Sequence, residues 1–99
     1  DFYTFTERNS EEASANFSLT ILPNPFNPAT ELRLSPAILK KRFTLKIYNT
    51  LGQEVANLTD KVDANGIARF NATFLSSGLY FARVNTNGAI VQRKLILVQ

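Results

Sequence analysis

From Phe17 onward, apolar and polar residues alternate in short runs separated by turn residues. That period of two is the mark of half-buried strands. Phe17–Leu22 sets Phe17, Leu19 and Ile21 against Ser18 and Thr20. Thr30–Ser35 sets Leu32 and Leu34 inward and Glu31 and Arg33 outward, and Pro36 stops it. Arg42–Asn49 is the clearest run, with Phe43, Leu45 and Ile47 on one face and Thr44, Lys46 and Tyr48 on the other. Asn49-Thr50-Leu51-Gly52 is a tight turn in which Gly52 is free to take positive φ, and Gln53–Leu58 returns as the partner strand. Asn65-Gly66 marks another turn before Ile67–Thr73, whose Ala68, Phe70 and Ala72 point inward. Leu79–Thr86 places Tyr80, Ala82 and Val84 on one face, and Asn87-Gly88 is a strong hairpin dipeptide leading into Ala89–Val98. In this seventh run Arg93 and Lys94 are adjacent, so one must face the core side or a bulge must intervene.

Between the first two runs lies Leu22-Pro23-Asn24-Pro25-Phe26-Asn27-Pro28-Ala29-Thr30, with three prolines within six residues. Proline fixes φ, removes a backbone donor and pushes the preceding residue toward extended geometry. The stretch therefore predicts a rigid, extended corner with Phe26 as its one large apolar anchor. Seven short strands without a helical period predict an all-β fold, a seven-stranded antiparallel immunoglobulin-like β-sandwich. Tyr80 opens its strand just after the corner Phe74-Leu75-Ser76-Ser77-Gly78. Immunoglobulin-like folds often bury a Tyr at that position, its hydroxyl tying the corner down.

Ninety-nine residues make one small domain, large enough to bury roughly 60–68% of its unfolded surface. Eight Phe and three Tyr supply the large core pieces, and Cys, His, Met and Trp are absent. Without His or Cys, most nucleophile–base pairs and transition-metal sites are unavailable. Four of the eight acids fall in the first twelve residues and the rest are scattered, so no carboxylate pair is indicated. No cofactor is expected. Asp60 and Asp63, beside Lys61, make a poor calcium site.

Residues 1–16 carry four acids and one base, a net of −3, whereas residues 17–99 carry ten bases and four acids, a net of +6. The densest basic run, Lys40-Lys41-Arg42, reads as a solvated loop between two strands, not as a phosphate or anionic-membrane contact. It lacks interleaved aromatics for base stacking, and no nucleic-acid partner is expected. The longest apolar stretch, Ala89 to Val98, is broken by Gln92, Arg93 and Lys94 and is too short to span a bilayer as a helix. Residues 1–16 read as a linker or the tail of a preceding domain, with 17–99 as the folded body. The first six residues alternate like a strand, while Glu7 to Asn16 is polar and small. A chain beginning at Asp1 and not at Met is expected to be a fragment or a processed product. Three N-x-S/T sequons occur, at Asn16, Asn57 and Asn71; they would be chance in a bacterial protein and candidate glycosylation sites in a eukaryotic one.

Four segments resemble the C-terminal sorting domains of the type IX secretion system, which exports proteins across the outer membrane of Bacteroidetes and related bacteria. Leu22 to Pro28 is similar to the family's proline-rich opening, Leu45 to Val55 to its central hairpin with Gly52, Ser77 to Val84 to its Gly-x-Tyr strand with Gly78 and Tyr80, and Arg93 to Val98 to its terminal basic-then-apolar strand. The resemblance covers about residues 17–99. It implies a non-catalytic signal domain directing a larger secreted protein across the outer membrane, cleaved or anchored at the cell surface. It implies as partners the outer-membrane secretion machinery, a sortase-like processing protease and a covalently linked N-terminal cargo domain. It also implies passage through the periplasm of a Gram-negative bacterium to the exterior or cell surface. Many members end on a basic residue, whereas this chain ends Val98-Gln99.

A last strand at a sheet edge offers unpaired backbone groups that a receptor can read by strand addition. On that account Arg93 and Lys94 supply charge recognition and Leu95, Ile96, Leu97 and Val98 supply side-chain pockets, although the same four residues also fit a plain core strand. Residues 7–16 are polar, as a processing site requires. The alternative is an immunoglobulin-like accessory module that binds carbohydrate or packs against a catalytic domain, with Tyr48 and Phe81 as outward aromatics for sugar stacking.

Overall fold

The computed structural model describes residues 17–99. The expected linker, its processing site and Asn16 lie outside the described residues. The strands are β1 (Leu19–Leu22), β2 (Ala29–Leu34), β3 (Thr44–Tyr48), β4 (Glu54–Asn57), β5 (Ile67–Asn71), β6 (Gly78–Thr86) and β7 (Ala89–Leu97). They form two antiparallel sheets, β1-β2-β5 and β4-β3-β6-β7, and the body is an all-β sandwich. Among the described residues, no helix is long and apolar enough to cross a membrane.

The core lies between the sheets and follows the alternation. Leu32, Leu45, Ile47, Ala68, Ala82, Val84 and Leu95 are all fully buried. Removing one such Leu or Ile side chain from water is worth about 1.5–3 kcal/mol. Phe43 packs partly buried against the same cluster. The Arg93–Lys94 conflict is resolved without a bulge, because β7 pairs with β6 in unbroken register from Ala89 to Leu97. Lys94 faces solvent, while Arg93 lies half-buried on the inward side. Its guanidinium Nη1 donates to the Gln92 carbonyl at 3.1 Å, so a long stem lines apolar surface while the charged head stays hydrogen-bonded.

Two short segments depart from the expected all-strand-and-loop reading. Pro36–Leu39 forms a single helical turn, α1, with proline at its start, and Thr59–Lys61 forms a 3₁₀ turn. Ile38 on α1 is fully buried and closes one end of the core. Lys40, Lys41 and Arg42 follow it and are exposed, as the sequence implied. Gly66 lies under this end at φ +82°, and a β-carbon there would sit 2.7 Å from the Leu34 carbonyl oxygen. The backbone leaves room only for glycine.

Strand directions give the sandwich two distinct ends. Phe17, Ser35, the basic run and the Asn87-Gly88 turn share one, since Leu19 pairs with Leu34 and Thr44 with Asn85. The proline corner, the β3–β4 turn, the β5–β6 loop and the end of β7 share the other, since Leu22 pairs with Glu31, Tyr48 with Phe81 and Gly78 with Leu97.

Candidate functional site

The proline corner is built onto the outer edge of β7. Phe26 is 2% exposed, and its ring packs against Phe70 at a centroid distance of 6.1 Å. Its backbone N–H donates to the Ile96 carbonyl and its carbonyl accepts from the Val98 N–H, both at 2.9 Å. Asn24 extends this pairing through its side chain. Asn24 Nδ2 donates to the Lys94 carbonyl at 2.8 Å, and Asn24 Oδ1 accepts from the Ile96 N–H at 3.0 Å. The carboxamide thus stands in for a peptide group and continues the ladder one step further. The corner is itself held: Thr30 Oγ1 donates to the Pro23 carbonyl at 2.7 Å, and the Ala72 N–H donates to the Pro28 carbonyl at 2.9 Å. Pro25 and Asn27 stand exposed, and all three prolyl bonds of the corner are cis.

This arrangement closes part of the edge that recognition by strand addition would use. Between the Lys94 carbonyl and the Val98 N–H, the outward-facing backbone groups are taken by Asn24 and Phe26. Toward Ile90 and Gln92 none of the corner's hydrogen bonds reaches the edge. The side chains divide as well. Leu95 and Leu97 are core, whereas Lys94, Ile96 and Val98 point out to solvent. Any side-chain recognition by the last strand therefore falls to the second group.

The Tyr corner forms as anticipated, with buried Tyr80 donating its hydroxyl proton to the Ser76 carbonyl at 2.7 Å. Gly78 opens β6 at φ +152°, and Gly52 takes φ +81° in the β3–β4 turn. That turn is fixed by Asn49, whose Oδ1 accepts from the N–H groups of Leu51 and Gln53, both at 2.9 Å. Gln99 is tied to the β5–β6 loop: its N–H donates to Ser77 Oγ at 3.0 Å, and its side-chain amide donates to the Leu75 carbonyl.

Tyr48 and Phe81 are direct cross-strand neighbours on the outward face of the four-stranded sheet. The Arg83 guanidinium lies over the Tyr48 ring, 4.9 Å from its centroid. It takes one ring face that a sugar would need. Asp63 spends its carboxylate on the N–H groups of Asn65 and Ile67. Among the described residues no three His, Cys, Asp or Glu side chains cluster as cation ligands.

A family model described as a secretion system C-terminal sorting domain matches residues 20–99. The chain belongs to the type IX secretion C-terminal sorting domains. No individually curated protein matches it. The match begins inside β1 and runs through β7, so it spans both sheets, the corner and the clasp between corner and last strand. Within this sorting domain, the sequence placed Asn24 in the corner motif and Phe26 as its anchor, but did not show that the Asn24 side chain bonds to β7. The one available signal was its position between two prolines, where the backbone cannot supply a ladder of its own.

Proposed function

We propose that this sorting domain acts without chemistry of its own, as the signal by which a larger preceding protein is carried through the periplasm and across the outer membrane. The observation that carries this reading is the family match over residues 20–99. The cargo is covalently linked through residues 1–16, and a sortase-like protease processes that segment or the cargo is anchored at the cell surface. The export receptor reads the outward face of β7, with Lys94 giving charge recognition and Ile96 and Val98 giving apolar contacts. Asn24 and Phe26 keep this strand in one place by occupying its edge, so the receptor meets a fixed surface and not a loose tail. Strand addition is then confined to the stretch around Ile90 and Gln92.

The test is a secreted reporter carrying this chain at its C-terminus, expressed in a host with a working type IX route. The reporter is expected in the medium or on the cell surface. Retention in the periplasm, while a reporter with an established tail is exported from the same host, would end the proposal. A Lys94→Glu variant is expected to export more slowly at unchanged melting temperature.

A further inference from the structure

Every large hydrophobic residue exposed among the described residues lies at one end of the sandwich. The six are Leu22, Leu51, Phe74, Leu79, Ile96 and Val98. Scattered apolar residues on a surface are ordinary, but a gathering of them marks a contact site. Leu51 is 81% exposed and Phe74 71%, far beyond what a residue at the margin of a core would show. Both line a groove of ≈ 430 Å³ with Val55, Leu79 and Tyr80. Leu79 pairs across the strands with Ile96, which continues the surface onto the outward face of β7.

The loops that hold these side chains out are pinned. Asn49 fixes the turn under Leu51, Tyr80 and Gln99 fix the loop that carries Phe74, and neither side chain swings into the core. Most nearby charges are already paired: Lys46 Nζ lies 3.3 Å from Glu54, and Glu31 contacts Arg33 and Arg69 at 3.3 and 3.4 Å, which leaves exposed Lys94 as a single cation at the margin of the patch. An anionic bilayer would want a cluster of free cations beside the apolar residues, yet Lys94 stands there alone and Lys40, Lys41 and Arg42 lie at the opposite end. Residues 1–16 join the body at Phe17, also at the opposite end. Whatever precedes the domain is attached away from the apolar end.

We propose that this end is a docking surface for an apolar concavity on a protein of the export machinery, entered end-on with Phe74 and Leu51 as anchors and with Lys94 at the rim. This rests on the sorting function proposed above and names the chemistry of the receptor that reads it. Aromatic and aliphatic anchors seated in a desolvated pocket carry a large share of the energy of such contacts.

The experiment places Leu51→Asp, Phe74→Asp and the double variant in the reporter fusion. Lys40→Glu/Lys41→Glu serves as the opposite-end control, and melting of the purified chains verifies folding. The double variant is expected to melt as the parent does and to lose export by at least about tenfold, as removal of an interface anchor does, while the control exports normally. Export of the folded double variant at the parent level overturns the proposal and leaves the sorting function standing. Failure of the parent fusion to export overturns both. Sedimentation and vesicle flotation test the other occupants. A parent dimer dissolved by the double variant would assign the surface to a second copy. Flotation of the parent with phosphatidylcholine–phosphatidylglycerol vesicles, lost in the double variant, would assign it to lipid. Either result overturns the protein-receptor assignment.

Discussion

Two connectors cap the sandwich, one at each end, and they do so in different ways. The stretch from Pro23 to Pro28 joins β1 to β2 and is locked onto β7, a strand some seventy residues away in the sequence. The stretch from Ser35 to Phe43 joins β2 to β3 and touches the core mainly through Ile38 on α1. Its charged half, Lys40 to Arg42, is fully solvated. One connector is tertiary structure in the strict sense; the other is a local plug with a polar tail. Proline content alone does not make the difference. It comes from Asn24 and Phe26, which bond to β7 and supply the donors that the prolines on either side lack.

Substitutions can break this comparison. The largest effect is expected from Phe26→Ala, which empties a buried aromatic site against Phe70 and should cost about 3–5 kcal/mol in urea unfolding. Gly66→Ala comes next, at about 2–4 kcal/mol, because a β-carbon meets the Leu34 carbonyl at a strained φ. It would show that the basic end also has a rigid point, in its backbone and not in its charges. Asn24→Ala deletes both side-chain bonds to β7 and leaves the Lys94 carbonyl and Ile96 N–H without protein partners; the expected loss is about 1–3 kcal/mol, with faster amide exchange at Ile96. The smallest effect is expected from replacing Lys40, Lys41 and Arg42 together by Gln, which should move stability by no more than about 0.5 kcal/mol. A triple variant as unstable as Asn24→Ala would erase the distinction between the connectors.

The strands were legible because each buries one face, which writes a period of two into the sequence. Leu45 and Ile47, Ala68 and Phe70, and Tyr80, Ala82 and Val84 all fell on the side their alternation indicated. The helical turn at Pro36–Leu39 was not legible, since one turn is too short to display a period. Neither was the clasp on β7, because nothing local to Asn24 or Ile96 records that they meet. In β7 the adjacent Arg93 and Lys94 left the register open, so the split of Leu95 and Leu97 from Lys94 and Ile96 was not legible, and which edge was covered depended on the path of the corner. The exposure of Leu51 and Phe74 was hidden for a different reason. Both sit in turns, where no alternation exists to say which side a residue faces.

The clasp also sets an order of events. Its two halves stand near opposite ends of the folded body, residues 24 to 26 and 94 to 98, so the body cannot close until the last strand has been synthesised. Contacts of such wide sequence separation are slow to form, because most of the chain must be looped before they gain anything. Ribosome-stalled chains ending at Arg93 are therefore expected to be cut readily by protease, and released full-length chains to resist it.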